Sequence, residues 1–354
     1  MLLQLLAGCG KIAYYAHCTK GQLALLSNRK PIPALLQDPA IPEELRCRLS
    51  EAQSIRDFAS RVLSLPENGS YRSYADLQRP YATWNIVAAP EFSLEPHQWC
   101  YPIAGCVAYR GFFDRRPADR FAEQLRSEGF DVYLYGVAAY STLGWFDDPV
   151  LNTFLYEPPP VLAGVIFHEL AHQRLYIQND MAFSEGFAMT VELLGVERWL
   201  AEQDCRQAAE DYRQTKAREG DFALLLERLQ ERLADLYHQP LPASLMRKAK
   251  QELLADFVHD YSEWKIRWNG YAGYDRWLTG GLNNAKLASV NTYHSLVPAF
   301  RALFANCRSD FALFFCEVER LSRLPAEERS LQLKMLSNQN GALHLPTELP
   351  APQK

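Results

Sequence analysis

Residues 168 to 172 read His-Glu-Leu-Ala-His, and Val161, Leu162, Val165 and Ile166 precede them with no charge among them. This feature constrains the fold more than any other, because it calls for a well-buried helix that carries two histidines. Spaced four residues apart, His168 and His172 lie one turn above each other on one helix face. Two buried imidazoles without a partner would be costly, so a shared ligand is the economical reading. Glu169 is a neighbour on the same helix, able to lean over a bound water but poorly placed to be a ligand itself.

A second carboxylate follows at a useful distance. Glu185, within Phe183-Ser184-Glu185-Gly186-Phe187-Ala188, lies thirteen residues past His172. The turn signal Gln178-Asn179-Asp180 separates the two stretches, and a helical hairpin across it can bring Glu185 back beside the histidines. The set predicts a catalytic Zn2+ site with His168, His172 and Glu185 as ligands. Three protein groups leave a fourth position for water, whose pKa such a site lowers to about 7. The expected chemistry is metal-assisted hydrolysis of a peptide substrate, with Glu169 as general base. Glu192, two turns beyond Glu185, either orients a ligand from behind or is a solvated glutamate. The reaction also needs a donor for the developing oxyanion, commonly a Tyr or His. Tyr293 is the first candidate and His294 the second.

Composition limits the alternatives. In 354 residues, 48% are hydrophobic and 22% charged, the balance of an ordinary globular protein. The net charge is −5 and the Lys and Arg residues are scattered, so no nucleic-acid groove is expected. No stretch reaches the roughly 18 to 20 apolar residues of a membrane-spanning helix. Apart from Cys9 there are seven cysteines. Cys100 and Cys106 bracket a turn-like segment and can close a small disulfide loop, while the bland reading of most others is a small buried apolar residue. No Cys-x-x-Cys pair exists to suggest a structural zinc knuckle.

The patterning predicts an α+β fold, mostly helical, with a small mixed β-sheet ahead of the histidine helix, and the histidine segment resembles that of zincin-like metallopeptidases. Strands are expected at Thr83–Ala89, Ala108–Phe113 and Asp131–Tyr135. Helices are expected at Gln53–Leu65, at Arg116–Glu128 closed by Gly129, and after Pro158-Pro159-Pro160, since proline suits a first turn. The second half reads as helices over Glu185–Gln203, Gln207–Tyr237, Pro242–Trp268, His294–Asn306 and Asp310–Leu321, the last with Ser309 as N-cap. A single metallopeptidase domain is expected over 10–340, with a mixed part (10–150) and a helical part (151–340). A mobile tail is expected from Gly341.

The first nine residues read as a lipoprotein signal remnant. Leu6-Ala7-Gly8-Cys9 resembles a lipobox, whose cysteine becomes lipidated, although no Lys or Arg precedes the short apolar run. On this reading the lipid on Cys9 tethers the protein to the periplasmic side of the cell envelope, in the outer membrane. The alternative is a cytoplasmic chain whose first helix begins with leucines.

Several further segments carry a family resemblance. They are Asn68-Gly69-Ser70-Tyr71-Arg72-Ser73-Tyr74, Glu91 to Pro96, Trp99-Cys100, Gly105 to Gly111, Ala139 to Pro149, the histidine segment and Asn283 to Ser289. With these the chain resembles a bacterial family of putative aminopeptidases, over roughly residues 5 to 325. The resemblance implies a zinc peptidase of the gluzincin type, with a glutamate as third ligand. It also implies an edge strand beside the zinc helix, to which substrate adds as a further strand, and Gly136 to Phe146 is the obvious segment. Asp147, Asp148 or Glu95 can hold a free amino terminus, though Asp147-Asp148-Pro149 reads more readily as a turn cap. Two other functions keep the same residues: an envelope lipoprotein that binds zinc and a partner without catalysis, and a zinc amidase acting on cell-wall amides.

Overall fold

The computed structural model describes residues 2–101, 105–139, 141–290 and 296–341, and side chains from Tyr14 to Asn338 within them. The chain opens with α1 (Leu2–Ser27), β1 (Lys30–Pro31), α2 (Ile32–Gln37), α3 (Glu43–Arg61), β2 (Ser73–Ala75), β3 (Thr83–Pro90), β4 (Trp99–Tyr101), β5 (Gly105–Val107) and β6 (Arg110–Phe112). It continues through α4 (Arg115–Ser127), β7 (Phe130–Val137), β8 (Val150–Leu151), α5 (Asn152–Leu155), α6 (Pro159–Arg174) and α7 (Met181–Glu202). The remainder is helical: α8 (Arg206–Tyr237), α9 (Ala243–Arg267), α10 (Asp275–Leu278), α11 (Asn284–Ser289), α12 (Val297–Asn306), α13 (Phe311–Ser322) and α14 (Ala326–Gly341). The fold is therefore α+β and mostly helical, with sheets of two or three strands.

The central sheet has the order β6-β3-β7, antiparallel throughout, with Trp84 opposite both Phe112 and Gly136. Helix α4 covers one face through Ala118, Ala122 and Leu125, and α11 covers Val87 and Ala89 with Ala285 and Ala288. In a second sheet, β1-β2-β8, the parallel pairing of Tyr74 with Val150 draws residues 68–71 beside Asp148. The amide of Tyr71 donates to the Asp148 carbonyl at 2.6 Å.

The largest apolar cluster is built by α3, α6, α7, α12 and α13. Phe58, Phe167, Phe183, Phe187, Phe300 and Phe314 are all buried there. Phe183 meets Phe300 edge to face at 5.1 Å. Burial of each such ring contributes on the order of 1.5–3 kcal/mol. Gly195 lets the helices approach, since a Cβ there would lie 2.8 Å from both Leu63 and Phe167. A second cluster, around Phe222, Leu226, Leu233, Phe257 and Tyr261, joins α8 to α9.

Several expected boundaries shift. Helix α3 starts at Glu43, ten residues before Gln53, because Pro42 precedes it and Glu43 and Glu44 favour a first turn. The strand expected over Ala108–Phe113 is confined to Arg110–Phe112. The N-cap of α13 is Asp310, whose carboxylate accepts the Leu313 amide at 2.8 Å, while Ser309 takes a left-handed conformation (φ 56°). Cys100 and Cys106 form the small disulfide loop. The reading of the other cysteines as buried fails for Cys47, Cys205 and Cys316, which are exposed; Cys307 is buried. Tyr293, His294, the Cys9 side chain and residues 342–354 lie outside the described residues, and Gly341 is the last residue of α14.

Candidate metal centre

Pro158, Pro159 and Pro160 open α6, and its register puts His168 and His172 one turn apart. The connection to α7 is tightly held. Asn179 adopts φ 64°, and the Asp180 side chain accepts the Phe183 amide at 3.1 Å. Ser184 Oγ accepts the Ile177 amide at 3.0 Å and donates to the Asp180 carbonyl at 3.0 Å. Arg329 of α14, only 6% exposed, donates twice to Asp180 Oδ2, at 2.9 and 2.6 Å. Arg329 is buried and Asp180 half-buried, so this charge-assisted pair helps to hold the turn in place. The turn brings Glu185 onto the histidines.

His168 Nε2 and His172 Nε2 are 3.1 Å apart. Glu185 Oε2 lies 3.4 Å from the first, and its Oε1 lies 3.4 Å from the second. Two atoms held about 2.05 Å from one tetrahedral ion are separated by about 3.3 Å, so the three side chains fit a small divalent cation. The electrostatics agree. Burial pulls the His168 imidazole down, but hydrogen bonds with Glu185 and Glu192 outweigh it and push it up to about 10. Burial pushes Glu185 up, yet the two histidines bring its carboxyl well below the usual range. The pocket draws in positive charge.

Behind the His-His-Glu group stands Glu192. Its Oε2 accepts from His168 Nδ1 at 3.2 Å, and its Oε1 accepts from Lys216 Nζ of α8 at 3.0 Å. A proton on Nδ1 leaves the Nε2 lone pair free for a metal. Burial raises the Glu192 carboxyl, but His168 and Lys216 bring it down to about 2. Gly164 makes room for this carboxylate, since a Cβ there would stand 3.3 Å from it. Glu192 is thus bonded to His168 and Lys216 rather than left to solvent.

Glu169 is half-buried and, with His168, lines a cavity of about 650 Å³. One wall is apolar (Ala139, Pro158 to Val161, Val165), and the other is the α8 face with Tyr212, Thr215, Lys216 and Glu219. The Tyr212 hydroxyl is buried with no hydrogen-bond partner among the described residues. On α6, Gln173 accepts from Asn68 at 2.8 Å and donates to Ser70 Oγ at 3.1 Å, fixing the loop that carries Tyr71. Tyr71 is buried; burial first, then the carboxylates of Glu169 and Asp148, hold its hydroxyl well above its ordinary value.

The other sequence candidates separate. Among the described residues of Gly136 to Phe146, only Gly136 and Val137 belong to the edge strand β7, which ends at Val137. Asp148 bends the chain beyond β7, accepting from Thr142 N at 2.8 Å and Thr142 Oγ1 at 2.9 Å. Asp148 is 1% exposed and serves as a turn cap rather than a receptor for an amino terminus. Glu95 is exposed in the turn after β3, beside Phe92 and Leu94, which pack on the α8–α9 cluster. Lys216, Tyr71 and Tyr212 were not read from the sequence. Lys216 carries no local signal, being one of many charges on a long amphipathic helix.

The fold and site define a helix-rich α+β protein with a His-His-Glu group able to hold a metal ion at the rim of a cavity. Residues 13–333 match the family described as "Putative aminopeptidase", and the chain belongs to that family. No curated protein and no solved structure gives a match.

Proposed function

We propose that the protein is a zinc-dependent aminopeptidase of the gluzincin type. The observation that carries this reading is the spacing of His168, His172 and Glu185, which suits one tetrahedral ion, with Glu169 beside them in an open cavity. Zinc, when bound, supplies a charge that polarises the scissile carbonyl and lowers the pKa of water. Glu169 accepts the proton of the attacking water and passes it to the leaving amine. Glu192 holds His168 in the Nδ1–H tautomer, and Lys216 holds Glu192. Tyr293 and His294 keep their proposed role as donors to the carbonyl oxygen. The cavity suits a peptide end whose side chain lies against the proline and valine wall. Tethering to the cell envelope by a lipid on Cys9 belongs to the same proposal.

The test is a mass-spectrometric cleavage profile of a mixed peptide library, with Glu169→Gln as control and zinc content measured in parallel. Trimming residue by residue from free amino termini, absent in the variant, is the expected result. Internal cuts would retain the zinc chemistry and remove the aminopeptidase reading. No cleavage by the zinc-loaded wild type would overturn the peptidase.

A further inference from the structure

A second cavity, of about 860 Å³, lies between α1, β6 and the first turns of α4. It shares no lining residue with the cavity beside His168. In a chain of net charge −5, its wall holds four arginines (Arg110, Arg115, Arg116 and Arg120) against one carboxylate, Asp114. Asp114 already faces His17 at 3.7 Å and Arg79 at 3.9 Å, and Arg115 pairs with Asp119 at 2.7 Å. Arg110, Arg116 and Arg120 make no ion pair among the described residues. Three guanidinium groups lining one concavity give it a positive field that favours an anion.

Arg110 is placed for that role. The rings of Tyr14 and Phe121 lie over its guanidinium, with centroids 3.9 and 4.5 Å from Cζ. Stacking fixes the plane of the group and leaves its N–H edge to donate. Its Nε is buried with no hydrogen-bond partner among the described residues. Helix α4 also begins here without a side-chain cap, so its first amides add to the positive field.

We propose that this cavity binds a phosphate monoester, with Arg110, Arg116 and Arg120 on its oxygens. A dianion with tetrahedral oxygens can engage several guanidinium groups at once, whereas a single carboxylate would leave the three cations under-neutralised. Tyr14, Phe112 and Phe121 offer an apolar floor to the rest of the ligand. The phosphate can belong to a soluble compound or to a lipid headgroup.

The test uses the full chain at low salt with two probes. Titration calorimetry measures glycerol 3-phosphate, and co-sedimentation measures vesicles of phosphatidylcholine with and without equimolar phosphatidic acid. Arg116→Gln/Arg120→Gln changes two exposed side chains, so folding should survive, as circular dichroism will show. Arg110→Gln probes the stacked group. The proposal expects binding that weakens at least tenfold in the double variant and falls as salt is raised. Arginine-dependent binding of glycerol 3-phosphate identifies a soluble ligand, and arginine-dependent binding confined to phosphatidic acid vesicles identifies a lipid. Binding of neither probe by the wild type, or equal binding by the double variant, overturns it.

Discussion

Lys216 Nζ stands 3.0 Å from Glu192 Oε1, and the other oxygen of that carboxylate is 3.2 Å from His168 Nδ1. Helix α8 thereby reaches the candidate metal centre through one side chain. Glu219 accepts from the same ammonium at 2.9 Å, so Lys216 is fixed from two sides. The chain Lys216–Glu192–His168 holds the orientation of one of the three side chains that could take a metal ion.

Removal of Lys216 should therefore weaken metal binding without touching the metal. Lys216→Met is expected to lower zinc affinity by about 10–100-fold, the usual effect of losing an outer partner. Lys216→Arg should recover much of it. Competition with a chromogenic chelator measures both, and unchanged affinity in Lys216→Met would sink the idea.

Glu169 should be separable from the ligands. Glu169→Gln is expected to lower peptide turnover by about 10²–10⁴-fold while zinc stoichiometry stays at the wild-type value. Metal content by plasma mass spectrometry reads the second quantity. Loss of zinc in this variant would move Glu169 from base to ligand.

Metal binding should also appear as stability. An ion that binds only the folded state, at 100 times its dissociation constant, adds about 2.7 kcal/mol. Thermal melts with and without zinc should show a rise for the wild type, and little for His172→Ala or Glu185→Gln. An equal rise in all three proteins would place the ion elsewhere.

Asp148 predicts a pH effect of defined sign. Burial pushes its carboxyl up to about 6, although bonds from Thr142 and Ser141 act the other way. A carboxyl raised in the fold contributes its stability fully below its unfolded value, near 3.8, and loses it as pH rises through about 6. Asp148→Asn cannot ionise, so it should gain on the wild type across this window, by at most about 3 kcal/mol. Denaturant unfolding of both at pH 4 and pH 7 is the check. A constant difference would mean that Asp148 does not titrate there.

The three residues of the His-His-Glu group were readable in the sequence because each depends on short-range geometry. The i, i+4 spacing puts His168 and His172 on one face wherever a helix forms. Glu185 comes next across a turn of a few residues, marked by Asn179 and Asp180. Helices α4, α7, α8 and α9 carried the same kind of local signal and lie within a few residues of their expected ends. Only the tertiary structure decided the contacts between distant parts of the chain. Lys216 meets Glu192 from the facing helix, the parallel β2–β8 pairing brings Tyr71 to Asp148, and α1, β6 and α4 gather the arginines of the second cavity. Periodicity determines which face of a helix is buried. Which charged side chain from another element then meets that face depends on how whole helices and sheets pack, and no local pattern in the sequence records it.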